Sequence, residues 1–221
     1  MVINFEGHLP VVVPVEDIEE SILGWLREGD DSAPDIVDLP WVVNPVRDNV
    51  YLAEHPRLPF TLLLVFSDEF VQLVVPLGLE TLSMSTGDRL RVYHTLLKLN
   101  DDINLLKYTL SGMNDEVTLR VDLDKKTLGK DEFNDALTVL LIGLQAAVTN
   151  LGLEEEFANE VFERLVGMVV SRLEKGATEE ELMRFLTQKV GMPEKDAKEL
   201  LNTILQAQKE TLSSSQDVGY F

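Results

Sequence analysis

Cysteine is absent from the 221-residue chain. That excludes a disulfide framework, a thiolate metal site and a cysteine nucleophile. Basic residues are scarce: 19 Lys+Arg stand against 39 Asp+Glu, a formal net charge of -20. An acidic surface repels phosphate backbones and anionic headgroups, which argues against nucleic-acid and membrane-surface partners. Histidine occurs three times, as His8, His55 and His94, and no two have the HxxxH spacing of a zinc site. The phosphate-binding patterns GxxxxGK[ST] and GxGxxG and the nucleophile pattern GxSxG do not occur.

Long hydrophobic runs are also missing. Ala136–Leu153 comes nearest, but Thr138, Gln145, Thr149 and Asn150 interrupt it and acidic residues flank it. It reads as a buried core helix. The start of the chain has no basic region, and Val11–Val13 is too short for a signal peptide, so a cytoplasmic protein is expected.

What is present is periodicity. Ile18, Ile22, Trp25 and Leu26 make one apolar stripe on a helix over Asp17–Glu28. Asp35–Val46 holds β-formers with Pro40 and Pro45, which fits an edge or irregular strand. Phe60–Phe66 and Phe70–Leu77 are apolar at nearly every position and predict two strands covered on both faces. Thr86–Asn100 reads as a helix with two apolar rows, Leu90, Tyr93 and Leu97 against Val92, Leu96 and Leu99. Leu106–Leu110 and Val117–Leu123 alternate with period two and predict an antiparallel hairpin. Lys130–Asn150 is a long helix. Beyond it the chain reads as helical, with a Thr178–Glu181 capping box, a stop at Gly191 and a last helix after Pro193.

The fold class is therefore α+β, an antiparallel sheet with helices in the order α-β-β-β-α-β-β-α, plus a C-terminal helical extension. The division expected is 1–150 for the α+β domain, 151–212 for the extension and 213–221 for a tail. Residues 151–221 contain 14 Asp+Glu and 8 Lys+Arg, so -6 of the net -20 lies there and -14 lies in residues 1–150.

From Leu90 to Leu151 the order is the helix LRVYHTLLKLN, the strand LLKYTL, the turn SGMNDE, the strand VTLRVDL and the helix FNDALTVLLIGLQAAVTNL. This stretch resembles the type III secretion chaperone-like fold and the YbjN-like proteins similar to it. In that family a helix ends in Asn near this point and the next strand starts within a few residues, as at Asn100 and Leu105. The resemblance implies a homodimeric, non-catalytic protein-binding module that holds a client segment through apolar surface and sheet edge, without a cofactor. The helices after Glu154 depart from the family's pattern.

Few residues point to chemistry. Asp122-Leu123-Asp124 starts like a Ca²⁺ loop, but Lys126 and Thr127 stand where an oxygen ligand and Gly are needed. Glu154–Glu156 and Glu179–Glu181 suit helix N-termini, where carboxylates complement the macrodipole. The candidate interface is Leu90, Tyr93 and Leu97. The aromatic end Tyr220-Phe221 is a candidate docking tail. Two other readings compete: a metal-dependent enzyme using Asp122, Asp124 and Glu132, and a structural subunit of a larger assembly.

Overall fold

The computed structural model describes residues 17–216. Helix α1 covers Ile18–Arg27, and Asp17 caps it by accepting the Glu19 N–H. A short 3-10 turn follows at Ile36–Asp38. Four strands then run in succession: β1 Val42–Arg47, β2 Val50–Glu54, β3 Thr61–Phe66 and β4 Phe70–Glu80. Helix α2 is Thr86–Asp102, β5 is Lys107–Ser111, β6 is Glu116–Asp124 and α3 is Lys130–Leu151. The C-terminal helices are α4 Glu154–Glu174, α5 Glu179–Arg184, continued by a π-helical turn over Phe185–Lys189, and α6 Glu194–Gln216.

The six strands form one antiparallel sheet in the order β1-β2-β3-β4-β6-β5. The α+β class with a helical extension is thus the architecture of the chain. One strand is added to the expected order. The residues before Phe60 predict a single irregular strand, whereas β1 and β2 form a hairpin there with Arg47 opposite Val50. Asn49 makes the tight turn at φ 60°, a left-handed conformation that Asn tolerates better than most residues. Pro45 lies in β1, which is an edge strand, as its missing N–H requires.

Burial in β3 and β4 differs from the expected cover on both faces. Leu62, Leu64, Phe66, Val71, Leu73, Val75 and Leu77 are buried on one face. Leu63, Val65 and Val74 on the other are only half-buried. Their apolar character is served by cross-strand neighbours: Leu63 stands between Leu52 and Val74. The inner face packs against α1 and α3, and α3 supplies Phe133, Leu137, Leu140 and Leu144, each almost fully buried.

A second, separate core joins the C-terminal helices. Val169 of α4 meets Leu182, Phe185 and Leu186, together with Ala197, Leu201 and Ile204 of α6. The expected capping box at Thr178 is formed, with Glu181 bonded to both the Thr178 N–H and hydroxyl. Helix α6 runs through Ser213–Ser215 to Gln216, further than the polar composition of that stretch suggests.

The segment between α1 and β1 folds back tightly at Gly29. A Cβ there would stand 2.2 Å from the Asp38 carbonyl oxygen and 2.4 Å from the Leu39 carbonyl carbon. Both are backbone atoms, so Gly29→Ala should lower unfolding free energy by about 1–3 kcal/mol. Gly24, inside α1, meets nothing within 4 Å. Gly24→Ala should therefore raise stability by about 0.5–1 kcal/mol through helix propensity. Urea denaturation of both variants checks this; an unshifted midpoint for Gly29→Ala would contradict the close approach.

Candidate functional site

Helix α2 begins at a serine cap: Ser85 Oγ accepts the Asp88 N–H at 3.2 Å. Its inward row is Val92, Leu96 and Leu99, the last two buried and Val92 packed at the margin of the core. The other row divides. Leu90 and Leu97 are 67% and 68% exposed. Seven residues apart, they lie on one helix face. Tyr93 is half-buried instead. Its hydroxyl lies 2.8 Å from Thr81 Oγ1, which itself donates to the Asp115 carbonyl at 2.9 Å. A hydroxyl has one hydrogen to donate, so Tyr93 is the donor to Thr81. Tyr93 thus tethers α2 to the end of β4 and the β5–β6 turn, whereas Leu90 and Leu97 face outward.

Beside Leu90 a groove of about 760 Å³ opens between α2 and the α3–α4 junction. Leu79, Met84, Val92, Leu151 and Leu153 supply its apolar wall, and Asp88, Arg91 and His94 are among its polar members. Leu82 is also 52% exposed. The arrangement offers a concave surface with an apolar wall and a polar side, which suits an amphipathic segment of another protein. Tyr220 and Phe221 lie outside the described residues, as does His8.

Of the three candidate metal carboxylates, Asp122 and Asp124 are engaged elsewhere. Asp122 pairs with Lys107 and with Arg120, whose Nε is 2.7 Å from Oδ1. Burial opposes its ionisation, but the hydrogen bonds from Lys107 and Arg120 outweigh that and hold its carboxyl below the usual range. Asp124 accepts the Lys126 N–H at 2.9 Å and so shapes the turn after β6. Glu132 is exposed in the first turn of α3. Among the described residues, no three His, Asp or Glu side chains are grouped to hold a metal ion.

A polar cluster joins the C-terminal helices to the sheet domain, and sequence reasoning missed it. Arg57, in the loop after β2, donates from Nε to the Lys189 carbonyl at 3.2 Å and from its guanidinium to the Asp31 carbonyl. Lys189 in turn pairs with the Asp31 carboxylate. Arg164 of α4 reaches the Leu58 carbonyl, with Glu54 and Glu160 offsetting its burial. At the centre is His55, 1% exposed, with Nδ1 accepting the Arg57 N–H at 3.3 Å and Nε2 3.8 Å from Asp31 Oδ1. Arg57 between two prolines was the available clue, but nothing local shows that its partners lie 26 residues before it, at Asp31, and 132 residues after it, at Lys189.

Among the described residues no helix is long and apolar enough to cross a membrane. The fold and its groove define an α+β sheet domain that carries a C-terminal helical bundle. The chain belongs to the family described as Domain of unknown function (DUF8183), whose model matches residues 21–151. A second family model, also described as a domain of unknown function, matches residues 152–216. No curated protein matches the chain. A chain in the solved heterodimeric complex of ExoU and SpcU, from the type III secretion system of Pseudomonas aeruginosa, is similar at 18% identity. That likeness covers 57% of this chain and 93% of the other, with a TM-score of 0.37.

Burial, and then the Arg57 charge, lower the His55 pKa to about 4 from 6.5. The folded state therefore favours neutral imidazole. The resulting stability is fully present above pH 6.5 and is lost as pH falls toward 4. With Asp31 opposing the shift, the loss is at most about 3 kcal/mol. The difference in unfolding free energy between wild type and His55→Gln should shrink across that window. Parallel curves from pH 7 to 4 would contradict the assignment.

Proposed function

We propose that the chain is a non-catalytic protein-binding module of chaperone or adaptor type, with the α2 groove as its recognition surface. The observation that carries the reading is the exposure of Leu90 and Leu97 beside that groove. Leucines two-thirds exposed on an ordered helix leave burial energy unused, about 1–2 kcal/mol each when a partner covers them. Large apolar groups gathered at a concave surface mark interaction sites more often than isolated ones do.

The partner is an amphipathic segment of a client protein, and the chain works as a homodimer that uses the outward leucines of α2. The resemblance of Leu90–Leu151 to secretion chaperones supports the same reading. The net charge of -20 adds selectivity for basic clients and limits self-aggregation. Recognition through the sheet edge has less support. Pro45 lies in the β1 edge, and the β5 edge is engaged at Tyr108 by a side chain of α2.

Leu90→Asp combined with Leu97→Asp tests the proposal. Both positions face solvent, so circular dichroism should be unchanged. Light scattering should show a wild-type particle of twice the 24.9 kDa chain mass that falls to the single-chain mass in the variant. Binding of an apolar dye should drop in parallel. A wild-type monomer, or a variant of unchanged mass, would reject the dimer. Unchanged dye binding would reject the groove.

A further inference from the structure

Asn100 makes two hydrogen bonds to a single residue of β5. Its Oδ1 accepts the Tyr108 N–H at 2.7 Å, and its Nδ2 donates to the Tyr108 carbonyl at 3.3 Å. Exchange of both bonds with one residue is what an opposing residue does in the hydrogen-bonded pair of an antiparallel ladder. Tyr108 stands opposite Leu119 of β6, yet its two backbone groups go to Asn100. They therefore point away from β6. Strand β5 is last in the sheet, so they point to its free edge.

We infer that Asn100 is a strand surrogate: its carboxamide takes the place of a further strand and blocks the β5 edge against pairing with a second copy of this chain. The block is effective because β5 is short, Lys107–Ser111. Backbone groups alternate in direction along a strand, so Tyr108 and Leu110 are the edge-facing residues within it. With Tyr108 engaged, Leu110 alone is left to start a ladder. Tyr108 cannot slip out of register either, because its hydroxyl donates to the Gly143 carbonyl of α3 at 2.7 Å.

Without the block this edge would invite self-association. Leu105, Leu110 and Met113 are 46%, 43% and 93% exposed beside it. An unpaired strand edge flanked by apolar side chains is a template for another chain. The opposite edge is blunted by other means: β1 carries Pro45 and a register shift between Pro45 and Arg47.

Amide hydrogen exchange followed by NMR on the full chain tests the inference. In the wild type, Tyr108 N–H should exchange at least about tenfold more slowly than Leu110 N–H, since it alone has a partner at the edge. In Asn100→Ala, Tyr108 exchange should rise at least about tenfold while amides of β3 and β4 keep their rates. The particle mass of that variant should rise with concentration above the wild-type mass. Asn100→Leu, which fills similar space without hydrogen bonds, should behave alike. Wild-type Tyr108 exchanging as fast as Leu110, or folded variants with unchanged mass, would overturn the inference. If both variants fail to fold, the wild-type ratio of the two amides decides.

Discussion

The close approach of α3 to the β5–β6 hairpin fixes most of what surrounds it. Gly143 permits that approach: a Cβ there would lie 2.1 Å from Leu106 Cδ2 and 3.3 Å from the Tyr108 hydroxyl. The Gly143 carbonyl can then receive the Tyr108 hydroxyl, which stays a neutral donor because burial pushes its pKa up to about 12. Tyr108 holds Asn100 through its backbone, and Asn100 is part of α2. Tyr93 and Thr81 give α2 its second anchor, at the end of β4. With both tethers in place, Leu96 and Leu99 point into the core and Leu90 and Leu97 are left outside. The outward leucines thus follow from packing on the far side of the helix.

The two cores are joined differently from the way each is built. The cores of the sheet domain and of the helical bundle are apolar. The contacts described between them include Arg57, Lys189 and Asp31, with Arg164 on the Leu58 carbonyl. Phe157 of α4 adds an apolar contact, packed against the sheet-domain core and only partly buried. A junction with this polar share resembles contacts between domains more than a continuous core. A charge cluster also loses strength with salt, whereas the cores do not. We therefore propose the boundary near residue 150 as a division between two folding units, with α4 belonging to the second.

Much of the fold was legible because periodicity reports burial directly. The α1 stripe, the β5–β6 alternation and the Thr178–Glu181 cap each depend on residues close in sequence. Strand β2 was not legible. Its five residues follow a turn at Asp48-Asn49 that contains no glycine, and neither cue stands out from a loop. The one-sided burial of β3 and β4 escaped because apolar residues on the outer face shelter one another across strands. The two rows of α2 were visible, but not their directions. Tyr93 turns inward for a hydrogen bond to Thr81, twelve residues earlier, and apolar spacing carries no record of that bond. Asn100 stood out only as the end of a helix, since its partner is a backbone amide in the following strand. His55 and Arg57 act through Asp31 and Lys189, which only the folded chain brings together.

A photo-cross-linking amino acid placed at Leu90, with Glu199 on α6 as an exposed control, tests the recognition surface in the native cell most directly. If the α2 groove holds protein partners, irradiation should give at position 90 discrete adducts other than the cross-linked dimer, and none at position 199. Adducts no stronger at position 90 than at the control would contradict a binding role for this surface.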